Sequence, residues 1–313
     1  MPPRQGGLWT CLRTLRKIPQ QRDSIVPTTP FLTSAAELLR RYDVVLCDIW
    51  GVVHDGRTAY PEAGVALQTF REGGGTVVLV TNAPMTAAAI APLLDDKKVR
   101  RAAWDAIIGS GDMALAQIAH GGYARVFGIG PRPRDASFFD GVPNLVADLD
   151  DADAIACTGL EHERRETAED YRPLLQRGLE RNLPFVCVNP DLAVHVGADL
   201  LPCAGAIAAL YEAMGGEVFW CGKPHPLAYL TALEAAEGIR KRPVDKRRVI
   251  GIGDAVRTDL KSAANAGVDA LFIAGGLHRD ELIQDGILDQ AATWALLDAN
   301  EARPVAVMQK LVW

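Results

Sequence analysis

Val44-Val45-Leu46-Cys47-Asp48-Ile49-Trp50-Gly51 is an apolar run interrupted by one carboxylate, and Val249-Ile250-Gly251-Ile252-Gly253-Asp254 repeats the plan about 200 residues later. Val77-Val78-Leu79-Val80 and Ala270-Leu271-Phe272-Ile273-Ala274 are apolar runs of the same kind. None alternates polar with apolar, so each reads as a strand covered on both faces, the mark of a parallel sheet under helices. Helices fit the gaps: Pro61 to Glu72 runs into Gly73-Gly74-Gly75, and Thr258 to Ala266 stops at Gly267. The expected fold class is α/β, a doubly wound, Rossmann-like parallel sheet in which ligands gather at the carboxyl ends of the strands.

Between Asn82 and Gly222 lie about 140 residues, too many for a loop. Strand-like runs at Ala124 to Ile129, Ala154 to Cys157 and Phe185 to Val188 alternate with helical stretches at Asp112 to His120 and Thr167 to Arg181. They predict an inserted α/β cap domain over 100–215, with 26–99 and 216–313 forming the core domain. Residues 1–25 read as a disordered basic segment. Arg4, Arg13, Arg16, Lys17 and Arg22 come before the first acid, and a transit peptide is the alternative reading.

Of the 313 residues, 49% are hydrophobic and 23% charged, as in soluble globular chains. A net charge of −6 gives no basis for nucleic-acid binding, and no stretch is long and apolar enough to span a membrane. The six cysteines are scattered without a CxxC pair, which favours free thiols in a reducing, cytoplasmic setting.

Four segments carry the chemistry: DIWGVVHDG from Asp48, VVLVTNA ending at Ala83, GKPHP from Gly222 and GIGDAVRTD ending at Asp259. Asp48 stands at a strand end, where a carboxylate can attack phosphorus. Thr81 and Asn82 end the next strand with a hydroxyl and an amide able to donate to phosphoryl oxygens. Lys223, held between Gly222 and Pro224, would offset anionic charge in a transition state. Asp254 and Asp259 suit Mg²⁺, which takes one or two carboxylates and keeps several waters.

In this order the segments resemble the haloacid dehalogenase superfamily of aspartate-nucleophile hydrolases, over roughly residues 40 to 280. The long insert is similar to the cap of class IIA (C2-type) members. The resemblance implies Asp48 as nucleophile, Thr81 and Lys223 as phosphoryl binders, and Asp254 as a ligand of the cofactor Mg²⁺. Asp48 and the backbone carbonyl of Trp50 would complete the ligands, with Asp259 acting behind them. Asn82, Gly51 and Asp191 are the candidates for substrate contact, Asp191 lying in the cap-like stretch Val188-Asn189-Pro190-Asp191. The implied ligand is a small phosphorylated metabolite, such as a sugar phosphate or nucleotide, and the class also leaves room for a homo-oligomer.

Trp50 departs from the pattern. Phosphatases of the family carry an aspartate two positions after the nucleophile, which protonates the leaving group and then activates water. An indole does neither, and such proton transfer contributes about 10²- to 10⁴-fold in rate. Three readings follow. Hydrolysis persists because His54 or Asp55 substitutes, or because the leaving group departs unprotonated. Alternatively the protein binds a phosphorylated ligand with little turnover. The third reading is a halide-releasing enzyme, which carries an aromatic residue here but dispenses with Mg²⁺ and the acid pair.

Overall fold

The computed structural model describes residues 29–196 and 199–313. The basic segment expected over 1–25 lies outside the described residues. In chain order the strands are β1 (Val44–Cys47), β2 (Thr76–Thr81), β3 (Ala106–Gly109), β4 (Val126–Ile129), β5 (Leu145–Val146), β6 (Ala154–Cys157) and β7 (Phe185–Cys187). Then come β8 (Ala193–Val196), β9 (Asp199–Pro202), β10 (Val218–Trp220), β11 (Val249–Gly253), β12 (Asp269–Ile273), β13 (Ile283–Gln284), β14 (Ile287–Leu288) and β15 (Ala306–Met308).

Two parallel sheets result. Six strands in the order β15-β12-β11-β1-β2-β3 form one, and five in the order β10-β7-β6-β4-β5 form the other. The architecture is α/β with a Rossmann-like core sheet, as the uniform apolar runs predict. Every residue of β1, β2 and β11 is buried. Sheet membership changes after Gly109 and again after Trp220, some residues beyond the expected borders at 99/100 and 215/216. The short run Ala106–Gly109 carries too little apolar signal to be assigned to a sheet from sequence.

Helices cover the sheets through narrow stripes. Pro61–Glu72 starts on a proline, which fits a first helical turn, and buries Ala63, Ala66, Leu67 and Phe70 on one face. Burying a side chain such as Leu67 or Phe70 contributes roughly 1.5–3 kcal/mol. Pro226–Arg240 buries Ala228, Tyr229, Ala232, Leu233 and Ala236, and its alanines allow close approach to β2.

Two expected helices are broken. Thr258 to Ala266 is a wide π turn at Val256–Leu260 followed by a helix at Lys261–Ala266. Thr167 to Arg181 opens on a 3₁₀ turn at Ala168–Tyr171, closed by a reciprocal Thr167–Asp170 cap, before the helix Arg172–Glu180. The antiparallel hairpin β8–β9 had no counterpart in the sequence reading.

Five cysteines, Cys47, Cys157, Cys187, Cys203 and Cys221, are free and buried. Among the described residues no helix is long and apolar enough to cross a membrane. Arg240 and Arg248, in the basic stretch before β11, both pair with Asp43. Trp294 meets Phe31 edge-on at 5.6 Å.

Candidate active site

β1 and β11 are neighbours in parallel register, with Cys47 opposite Ile252. The residues that follow each strand, Asp48 and Gly253-Asp254, therefore emerge side by side. The Asp48 N–H continues the ladder by donating to Ile252 O at 2.8 Å. Asp48, Asp254 and Asp259 are buried, and each offers a carboxylate oxygen within 4.8 Å of the others.

Close approach at two glycines makes this crowding feasible. A Cβ on Gly51, whose φ is +82°, would lie 1.8 Å from Asp254 Oδ2. Gly222, at φ +154°, faces Asn82 Oδ1 at 2.6 Å and Ser110 Oγ at 2.7 Å from where a Cβ would stand. The π turn brings Asp259 back over Gly253, and its Oδ2 accepts from Ala255 N–H at 3.1 Å. Asp254 Oδ2 accepts from Leu277 N–H at 2.6 Å.

Lys223 enters this acid cluster from the other sheet, three residues after β10 ends. Its Nζ donates to Asp48 Oδ1 at 2.5 Å and to Asp259 Oδ1 at 2.6 Å. Burial alone would lower the lysine's proton affinity, but Asp259 and Asp48 outweigh it and hold the ammonium well above its ordinary range. Burial also pushes Asp48 up to about 7, against the pull of Lys223. Burial, Asp48 and Asp259 together raise Asp254 well above the carboxylate range. Three carboxyl groups crowd around one ammonium, which is why burial and mutual repulsion favour protons on two of them without a cation. All-oxygen donors of this kind suit a hard divalent cation.

Thr81 ends β2 beside Asp48, and its Oγ accepts from Ala83 N–H at 3.2 Å, leaving its own proton to donate. Asn82 departs from expectation. Its amide nitrogen donates to Lys223 O and Asp191 Oδ1, both at 2.9 Å, and its oxygen accepts from Lys223 N–H at 2.8 Å. The side chain expected to donate to a phosphoryl group instead fixes the lysine. Gly51 N–H is likewise committed, to His54 O at 2.8 Å. Ser110 was missed by sequence reasoning: its buried hydroxyl donates to Thr81 O at 3.1 Å. Its position directly after β3 is the signal that would have found it.

The cap candidate Asp191 follows β7 and reaches Asn82 across 109 residues, while its N–H donates to Asn189 Oδ1 at 3.1 Å. Asp199, at an exposed position, pairs with Arg164. His225 stacks on Trp220 at 5.1 Å.

Trp50 is 44% exposed. Its indole lies over Gly56, where a Cβ would be 2.6 Å from the ring, and edge-on to His54 at 5.7 Å. Neither neighbour suggested as a substitute acid suits the task. His54 is buried, its Nδ1 accepts from Gly56 N–H at 2.9 Å, and burial together with Lys97 lowers it to about 4. Asp55 is exposed, and its Oδ1 accepts from Arg57 and Thr58 N–H, the Thr58 bond being the main cause that holds it below its ordinary range.

Comparison with known proteins gives a consistent picture. The haloacid dehalogenase-like hydrolase profile matches residues 45–141, and a HAD-hydrolase-like profile matches residues 220–302. A crystal structure of a hydrolase of the haloacid dehalogenase-like family from Brucella suis 1330 is 42% identical, with a TM-score of 0.77 over 89% of this chain and 99% of that one. A dihydroxyacetone phosphatase of Corynebacterium glutamicum is 32% identical over 32% of this chain and 34% of its own length. An acid sugar phosphatase of Staphylococcus aureus is 30% identical over 42% of this chain and 48% of its own. The chain thus spans about a third to a half of the length of these two curated relatives.

Proposed function

Because the chain belongs to the haloacid dehalogenase-like family of hydrolases, we propose that it hydrolyses a small phosphomonoester through an aspartyl-phosphate on Asp48, with Mg²⁺ as cofactor. The observation that carries the reading is the buried bridge from Lys223 Nζ to both Asp48 and Asp259, beside Asp254. The relatives named dihydroxyacetone phosphatase and acid sugar phosphatase support a small, polar substrate. The second parallel sheet, between β3 and β11 in the chain, supports a class IIA assignment, and the five buried thiols support a cytoplasmic setting.

Asp48, Asp254 and the Trp50 carbonyl would hold Mg²⁺, with Asp259 behind them; the bound cation would neutralise the carboxylates and draw charge from the phosphoryl oxygens. The chain's own groups do the rest. Asp48 attacks phosphorus with the carboxylate oxygen not engaged by Lys223. The lysine ammonium and the Thr81 hydroxyl face the phosphoryl oxygens, where negative charge grows as the bond to the leaving group breaks. Asn82 keeps the lysine in register through its two bonds to the lysine backbone. Asp259 keeps it oriented from the far side.

A second reading, a phospho-ligand-binding protein with little turnover, is favoured by the exposed indole of Trp50 at the place of the family's acid. A panel of phosphomonoesters including aryl phosphates, assayed with Mg²⁺, decides between them. Phosphate release that Asp48→Asn abolishes is the expected result. Silence across the panel, with ligand-dependent thermal stabilisation, would establish the second reading.

A further inference from the structure

If the site is a phosphohydrolase, it has a proton problem. The leaving oxygen must be protonated and, in the second half-reaction, water must lose a proton. Trp50 does neither, His54 is a neutral buried acceptor, and Asp55 is an exposed carboxylate already bonded to two amides. Asp254 and Asp259 are engaged by Leu277 N–H and Lys223. Among the described residues a further carboxyl, that of Asp191, comes from the other sheet and bonds Asn82.

Asp191 is built in with care. Pro190 and Asp191 follow β7, where the Asp191 N–H is fixed by Asn189 Oδ1. The segment is pressed on the helix Ala204–Ala213, whose Gly205 would bring a Cβ to 2.4 Å from Pro190 O and 2.5 Å from Asp191 O. Pro190 also packs on Gly222, at 2.9 Å from the site of a Cβ. Oδ1 is held by Asn82, which in turn holds the backbone of Lys223. The second carboxylate oxygen, Oδ2, has no such fixed partner among the described residues. Asp48 rises from the core sheet, while Asp191 comes down from the end of β7. In-line displacement puts the leaving oxygen on the side of phosphorus away from Asp48, so the acid must come from a segment other than the one after β1. Asp191, which bonds Asn82 from the second sheet, is a carboxyl on such a segment.

We propose that Asp191 is the acid–base group of this reaction, standing in from the second sheet for the carboxyl that position 50 lacks. The proposal rests on the phosphohydrolase reading above. In the first step Asp48 forms a bond to phosphorus and the bond to the leaving oxygen breaks. That oxygen keeps the electron pair and takes the proton of the Asp191 carboxyl. In the second step Asp191 accepts a proton from water as the water oxygen attacks phosphorus. The bond to Asp48 then breaks, giving inorganic phosphate and the free carboxylate. Burial raises the proton affinity of Asp191, against the Asn82 bond and the charge of Lys223, with Asp259 adding to the rise. That direction suits a carboxyl that must carry a proton at the start of the cycle.

The test uses Asp191→Asn, Trp50→Asp and the double variant, assayed with Mg²⁺ on 4-nitrophenyl, phenyl and 4-methylphenyl phosphates. Asp191→Asn keeps an acceptor for Asn82, and a thermal melt checks that it folds. Its kcat/KM should fall by about 10²- to 10⁴-fold for phenyl phosphate but by much less for 4-nitrophenyl phosphate, whose phenolate departs unprotonated. With 4-nitrophenyl phosphate it should also show a burst of nitrophenol equal to the enzyme, followed by slow turnover. Adding Trp50→Asp should restore the loss on phenyl phosphate. An equal loss across all three esters, with no burst, would mean that Asp191 only positions Asn82, and the inference would be wrong while the phosphatase reading stood. A wild type silent on every ester would overturn both.

Discussion

Asn82 holds Lys223 by both of its backbone groups, accepting from its N–H at 2.8 Å and donating to its carbonyl at 2.9 Å. The lysine is thereby locked to the end of β2, 141 residues earlier in the chain. Asn82→Ala would leave both groups buried without a partner, at about 1–3 kcal/mol each. The expected outcome is a loss of roughly 2–6 kcal/mol in urea unfolding and a fall in kcat larger than the change in KM. A stability change under 1 kcal/mol would show that water replaces the amide.

The acid cluster should respond to divalent cations. Mg²⁺ at 100 times its Kd adds about 2.7 kcal/mol to folding stability, seen as a rise in Tm. Asp254→Asn separates the two sides of this balance. The fold disfavours charge on Asp254 because of its burial, Asp48 and Asp259, so the neutral amide, still able to accept from Leu277 N–H, should raise Tm without cation. It should also blunt the response to Mg²⁺. A lower Tm in both conditions would contradict this picture.

Gly51→Ala tests the closeness of backbone and carboxylate. The added methyl would stand 1.8 Å from Asp254 Oδ2, at a φ of +82° that alanine resists. We expect activity to drop by more than tenfold together with a loss of about 1–3 kcal/mol. An alanine enzyme with unchanged kcat and melting would mean that the turn can shift freely.

His54 predicts a pH dependence of stability. Its pKa is lowered from 6.5 to about 4 in the fold, so between these values the unfolded chain binds the additional proton. Stability contributed by this residue is therefore fully present above about 6.5 and is lost as pH falls toward 4, by roughly 2–4 kcal/mol. Chemical unfolding of wild type and His54→Gln at pH 4.5 and 7 should show the wild type losing more on acidification. Parallel curves would refute the neutral buried state of His54.

Much of the site is legible in the chain because strand ends announce themselves. Asp48, Thr81 and Asp254 each follow a run of apolar residues, and parallel register carries them to one edge of the sheet. The helix start near Asp259 was legible too, though not the π turn that points its carboxylate back at Lys223. What stayed hidden depends on partners far apart in sequence. An asparagine after a strand looks the same whether it donates to a ligand or to a lysine carbonyl 141 residues away. His54 reads as a substitute acid until its burial and its bond from Gly56 N–H are known. The hairpin β8–β9 and the edge strand β15 are short segments whose strand character comes from their pairing.

Trp220 ends an edge strand of the second sheet, and Lys223 follows after only Cys221 and Gly222. The segment that carries the second sheet is therefore not an accessory that recombination can exchange at will. A graft that replaces it must reproduce the spacing from its last strand to the lysine, or the incoming segment will deliver its ammonium to the wrong place. The joint at Gly109 is constrained as well: a Cβ there would stand 2.4 Å from Met85 O, and the next residue, Ser110, donates to Thr81 O. The inserted segment and the charged core are thus tied together at both seams, and an exchange of the insert should keep Ser110 and Lys223 with the core.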